Sequence, residues 1–304
     1  MPRTFDTTAL RRPVGDPEVR AYRRQLAGRG TATWGSPVPT RRILAWVAVV
    51  VGLPVAGGQV AVNRFGAPFE GAAAVSVLIF LVGLVGGLVV LHASGTVGLE
   101  PWREQLRCRE FAAANELECA ARTDAANYPG IVFKAGYRRL TEQRIWSTSG
   151  PYFEVGLHRY ESGHDQQEQQ YEWRYLAFPL PGVLPYLMLN ARLDETLPGD
   201  LGEFGAADRI QTLDGVMDEH FTLYCRPEDR FDAFYVFTPD VMALLIDHAR
   251  DLDVEVAADW LFFYSRFRLQ VSDPDTWARV AVLEEKVVPL ISARSRSHRS
   301  RDVK

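Results

Sequence analysis

Residues 43–62 read ILAWVAVVVGLPVAGGQVAV, and residues 71–91 read GAAAVSVLIFLVGLVGGLVVL. Neither run carries a charge, and eight residues separate them. About 20 apolar residues in a helix match a hydrocarbon layer of roughly 30 Å. Backbone in lipid must satisfy its own hydrogen bonds, so both runs are expected to be helices. The pair predicts a two-helix transmembrane hairpin over residues 43–92, with a kink at Pro54. Gly83 and Gly87 lie four apart on the second run, a small-residue face for membrane helix packing within the hairpin or between copies. No ionisable residue lies inside either run, which argues against a conducting pore or ion-coupled transporter.

Working outward, charge separates on either side of the hairpin. The 304 residues carry a net charge of −4. Residues 1–42 hold nine Arg against three acids, net +6. Residues 93–290 hold 19 Lys+Arg against 33 Asp+Glu, net −14. Residues 291–304 hold five Lys+Arg against one acid, net +4. Arg41 and Arg42 before the first run, and Arg103, Arg107 and Arg109 after the second, place both termini on the cytoplasmic side by the positive-inside rule. The expectation is a multi-pass protein of the bacterial cell membrane with the lipid bilayer as its first partner. Such a charge balance excludes a nucleic-acid binder with a dominating basic surface.

Four regions follow: a basic cytoplasmic arm (1–42), the hairpin (43–92), a cytoplasmic α+β domain (93–290) and a basic disordered tail (291–304). In the arm, Asp16-Pro17 predicts a helix to about residue 26. Pro101 starts a helix expected to run to about residue 117. Aromatic and β-branched runs at 131–133, 152–160, 171–179, 184–192, 221–225 and 233–237 read as strands. The polar stretch ESGHDQQEQQ at 161–170 reads as a hairpin tip. Thr238-Pro239-Asp240 predicts a helix to about residue 250, then strands at 254–256 and 260–264. Asp273-Pro274 starts a last helix with Trp277, Val280, Leu283, Val287 and Leu290 on its apolar face. The fold class is therefore α+β with a mostly antiparallel sheet and flanking helices.

Arg109-Glu110-Phe111-Ala112, the segment from Asp218-Glu219-His220-Phe221 to Cys225, and Phe237-Thr238-Pro239-Asp240 through Leu245 follow one another in an order that carries a resemblance. The chain resembles a bacterial family of two-span membrane proteins carrying a domain of unknown function. Gly150-Pro151-Tyr152-Phe153 and Trp173-Arg174-Tyr175 look like its actinobacterial branch, and three Lys against 31 Arg fit a high-GC genome. The resemblance implies topology and fold class and assigns no catalytic residue.

No phosphate loop, dinucleotide fingerprint, nucleophile elbow or H-E-x-x-H pattern occurs. Cys108, Cys119 and Cys225 lack metal or redox spacing, and a reducing compartment accounts for them. His158 and His164, with Asp165 nearby, flank the proposed loop and are the candidate metal ligands, although a solvated loop is the plainer reading. No cofactor is expected. The reading is a non-enzymatic, membrane-anchored interaction domain that binds an unidentified protein partner or a regulatory ligand, with a homo-oligomer formed through the hairpin left open as an alternative. An enzyme with a site of dispersed residues is the alternative, and a structural subunit of a membrane assembly a third.

Overall fold

A computed structural model describes residues 3–27, 77–78, 80–86, 98–124, 126–163, 168–193, 209–210 and 219–299. In chain order its helices are α1 (Thr8–Arg11), α2 (Asp16–Ala27), α3 (Glu100–Ala114), α4 (Ile131–Lys134), α5 (Arg230–Val236), α6 (Pro239–Ala249), α7 (Pro274–Val282) and α8 (Val288–Arg299). The strands are β1 (Leu117–Asp124), β2 (Tyr137–Ser147), β3 (Glu154–Ser162), β4 (Gln169–Ala191), β5 (Arg209–Ile210), β6 (Phe221–Cys225) and β7 (Asp253–Ser265). The chain divides into two units, Val14–Glu104 and Met1–Pro13 with Gln105–Lys304.

In the first unit, α2 follows its expected boundaries. Val19, Tyr22 and Leu26 are buried at the spacing of one helical face. Arg103 donates from Nη2 to Asp16 Oδ1 at 2.6 Å and from Nε to the Val14 carbonyl at 2.9 Å. It also pairs with Glu100. The guanidinium that the charge pattern assigned to topology therefore closes the entry to α2.

The transmembrane hairpin and the multi-pass membrane location built on it are corrected. Among the described residues, no helix is long and apolar enough to cross a membrane. The first run, 43–62, lies outside the described residues. In the second, residues 77–78 and 80–86 are described and helical, and the rest of the run lies outside the described residues.

The second unit is built on one seven-stranded sheet, ordered β1-β2-β3-β4-β6-β5, with β7 pairing the other edge of β4. Every pairing is antiparallel. The α+β class with an antiparallel sheet is thus what the chain adopts. β4 organises it. Its first half pairs β3 as far as Ala177, and its last residues pair β6 from Leu187. Between them stand Pro179, Pro181 and Pro185, which cannot donate to a ladder. The β7 register shifts over the same stretch, where Ala258 takes a φ of 55°. Proline thus makes β4 exchange one neighbour for another, and joins what the sequence presented as two strands.

Alternation along the strands gives the sheet two buried faces. One carries Tyr160, Trp173, Tyr175, Ala177, Phe262 and Tyr264, covered by α4. The other buries Leu176, Phe178, Leu261 and Phe263. α8 packs along β4. A Cβ at Gly182 would lie 2.4 Å from the Ser295 carbonyl oxygen, so glycine permits this approach.

Three local expectations change. Residues 131–133 fall in α4 and 233–236 in α5, with Phe237 capping its end, because short apolar runs do not distinguish strand from helix. The tail expected to be disordered is helical to Arg299, with Ile291 and Ser295 fully buried. The start of the basic arm, read from sequence only for its charge, is packed within the second unit: Leu10 is buried and Phe5 contacts Phe111, Phe153 and Trp277.

Candidate functional site

The richest concentration of chemistry lies between the sheet and residues 126–136. Glu154 opens β3 and is fully buried. Tyr128 and Tyr152 each donate a hydroxyl to its Oε2 at 2.9 Å. Arg144 donates through Nε to Oε1 at 2.9 Å and through Nη2 to Oε2 at 2.6 Å. The Tyr175 hydroxyl donates to Oε1. A carboxylate offers about four lone-pair sites. Four side chains from this fold occupy them.

Glu255 lies on β7, also without solvent exposure. Its Oε2 accepts the Tyr264 hydroxyl at 2.6 Å. The Ile131 amide donates to Oε1 at 2.9 Å and to Oε2 at 3.2 Å, which satisfies an orphan donor at the start of α4. Burial pushes the Glu255 carboxyl up to about 7, against hydrogen bonds from Tyr186, Tyr264 and Ile131 that favour its charged form. The approach is close. A Cβ on Gly130 would sit 2.2 Å from Tyr264 Oη and 2.8 Å from Glu255 Oε2. Gly156 plays the same part for Glu154, since a Cβ there would lie 2.7 Å from Tyr175 Oη.

His158 sits on β3 directly opposite Trp173 of β4, with no exposed surface. Its Nδ1 is 3.1 Å from Thr141 Oγ1, which also accepts the Ala126 amide at 3.1 Å. The Phe133 ring packs on the imidazole with centroids 4.8 Å apart. Nε2 has no hydrogen-bond partner among the described residues. Burial, and secondarily the Arg139 charge, holds the imidazole down to about 4, so it is neutral at pH 7. Burial likewise drives the hydroxyls of Tyr128, Tyr175 and Tyr264 upward, assisted by the neighbouring carboxylates.

Of the candidates read from sequence, only His158 and Gly83 lie among the described residues. His158 is an interior residue of a strand, where a solvated loop position was expected. His164 and Asp165 lie outside the described residues. Gly83 is in the helical stretch 80–86, and Gly87 lies outside the described residues. Among the described residues no group of three His, Cys, Asp or Glu side chains could hold a metal. Cys108, Cys119 and Cys225 form no disulfide. Glu154, Glu255, Tyr128 and Tyr264 escaped sequence reasoning. The available signal was an acid at an inward position of an alternating aromatic strand, as in 255–264.

Chemically, the arrangement is a strap fastened to a sheet. Tyr128, Ala126 and Ile131 each place a donor on a buried acceptor, and Phe133 fills the space between. The carboxylates point at partners within the fold.

These features define an α+β protein with tyrosine-saturated carboxylates buried beneath a short helical strap. No family model matches the chain, and no curated protein matches it. Among solved structures, it is similar to the crystal structure of the mycobacterial trehalose monomycolate transport factor A, TtfA. That likeness covers 59% of this chain and 94% of the other, at 6% identity and a TM-score of 0.38. At that level it assigns neither family nor activity.

Proposed function

We propose that the unit comprising residues 1–13 and 105–304 is a non-enzymatic interaction domain that binds a protein partner. The observation that carries this reading is the saturation of Glu154 and the enclosure of Glu255. A general acid or base must reach the proton it transfers within about 3 Å of a substrate atom. Here those positions belong to Tyr128, Tyr152, Tyr175, Arg144, Tyr264 and the Ile131 amide. The near-neutral carboxyl of Glu255 is the feature an enzyme reading would use, and burial denies it a substrate. The acid excess of the unit's main part, 31 Asp+Glu against 18 Lys+Arg over residues 105–290, supports a partner with a basic contact surface.

Affinity purification of the full chain from native cells, with mass spectrometry and parallel metabolite profiling, tests the reading. A stoichiometric partner released by raising salt supports it. A chain recovered alone, with a metabolite consumed by wild type and spared by Glu255→Gln, overturns it in favour of an enzyme.

A further inference from the structure

The N-terminal arm lies in a groove formed by residues distant in sequence, and its contacts have the anatomy of peptide recognition. Phe5 is the aromatic anchor. Its ring centroid is 5.3 Å from Trp277, 5.9 Å from Phe153 and 6.2 Å from Phe111, edge-on to the first two. Next to it, the Asn115 side chain grips main chain alone. Oδ1 accepts the Asp6 amide at 2.7 Å, and Nδ2 donates to the Asp6 carbonyl at 3.0 Å. One side-chain amide thus pairs both backbone groups of a single residue, whatever its side chain.

Arginines flank the anchor. Arg3 lies over the Phe153 ring at 5.0 Å, donates to the Ser149 carbonyl at 2.9 Å and meets Glu284 at 3.5 Å. Glu284 stands in a π-helical turn, Leu283–Val287, a local irregularity that often marks functional positions. At the other end Arg12 forks onto Glu110, with contacts of 2.8, 3.0 and 3.1 Å, and its carbonyl accepts from Arg107 Nε at 2.9 Å. A half-buried aromatic set into a pocket of buried rings, with charged pairs at its rim, is how short segments bind.

We propose that this groove is a peptide-recognition site, filled in the isolated chain by residues 3–12 acting as a built-in occupant. Its outside partner is a protein segment with an arginine two residues before an aromatic, a single helical turn after it, and a second arginine seven residues beyond the aromatic. Glu284 takes the first arginine, the Phe111–Phe153–Trp277 pocket the aromatic, Asn115 the following backbone and Glu110 the second arginine. The inference rests on the interaction-domain reading and names its site. It also gives the basic arm a role: by occupying the groove, it sets the affinity an outside segment must exceed.

The test uses the full chain and a fluorescein-labelled peptide of residues 1–14. Anisotropy should show saturable binding to a Phe5→Ala chain, whose own anchor is gone. Wild type should bind about ten-fold more weakly, because its groove is occupied. The Phe5→Ala peptide should lose binding by a further ten-fold or more. In wild type, excess peptide should speed amide exchange at residues 3–12 and leave β7 unchanged. That measurement carries the test if the variant misfolds. No saturable binding, or equal binding of both peptides, overturns the proposal. A native partner retained undiminished by Asn115→Ala and Glu284→Gln chains overturns the groove and leaves the interaction domain standing.

Discussion

Both carboxylate oxygens of Glu255 face the backbone amide of Ile131, at 2.9 and 3.2 Å, so a residue near the start of β7 caps the start of α4. The contact ties a helix of four residues, too short to be stable alone, to the centre of the sheet. It also buries an acid whose protonation falls near neutrality. Fold stability and pH are thereby linked at one bond.

Glu255 should make the domain less stable as pH rises. Its carboxyl is raised from 4.5 to about 7, so the fold favours the neutral acid. The stabilisation is complete below about pH 4.5 and is lost as pH rises through 7, a change on the order of 3 kcal/mol. Urea midpoints measured from pH 5 to 8 should fall in wild type and stay flatter in Glu255→Gln. Parallel slopes would sink the assignment.

His158 should act with the opposite sign. Its folded value is depressed from 6.5 to about 4. The stability it confers as a neutral base is present above about pH 6.5 and is lost as pH falls through 4. His158→Leu should be less stable at pH 7, by about 1–3 kcal/mol for the abandoned Thr141 partner, yet lose less on acidification. Nuclear magnetic resonance should find no ring titration for His158 above pH 5.

Gly130→Ala should destabilise by about 1–3 kcal/mol, because the added methyl meets Tyr264 and Glu255 inside a packed face. Gly86→Ala is the matched control. Among the described residues no atom lies within 4 Å of a Cβ there, and the residue is helical. Alanine at that position should be neutral or stabilising by up to about 1 kcal/mol. Thermal melting of the two variants separates steric conflict from a generic loss of glycine.

Glu154 and Tyr175 should couple. Glu154→Gln leaves Arg144 without its buried counter-charge, a loss of about 3–5 kcal/mol. Tyr175→Phe removes one donor to that carboxylate, about 1.5–3 kcal/mol. A double-mutant cycle in urea should show the pair losing less than the two single changes together. Additive losses would show that the hydroxyl contributes nothing through Glu154.

Much of the second unit was legible residue by residue. Thr238-Pro239-Asp240 starts α6, Asp273-Pro274 starts α7, and the Asp273 side chain accepts the Asp275 amide at 3.0 Å as an N-cap should. Alternation marked 152–160, and β6 occupies the expected residues 221–225. β1 and β2 were missed because Arg, Glu and Thr fill many of their positions, as on Arg122, Glu142 and Arg144, and charged strands carry a weak hydrophobic period. The site was not legible at all. A glutamate reads as exposed until the residues that bury it are known, and Tyr128 and Arg144 reach Glu154 from separate elements.

What the sequence by itself determined were features that act within a turn or along one strand: helix starts, alternating faces, and the charge on each segment. Tertiary structure alone decided whether 131–133 and 233–237 would be helix or strand, since both are short apolar runs whose conformation follows their packing. It decided that His158 is an interior base and that the tail continues as a helix on β4. It also decided what the basic arm does. Arg3 and Arg12 find Glu284 and Glu110 on the folded surface, and a charge pattern read along the chain carries no information about which opposite charge folding will bring within reach.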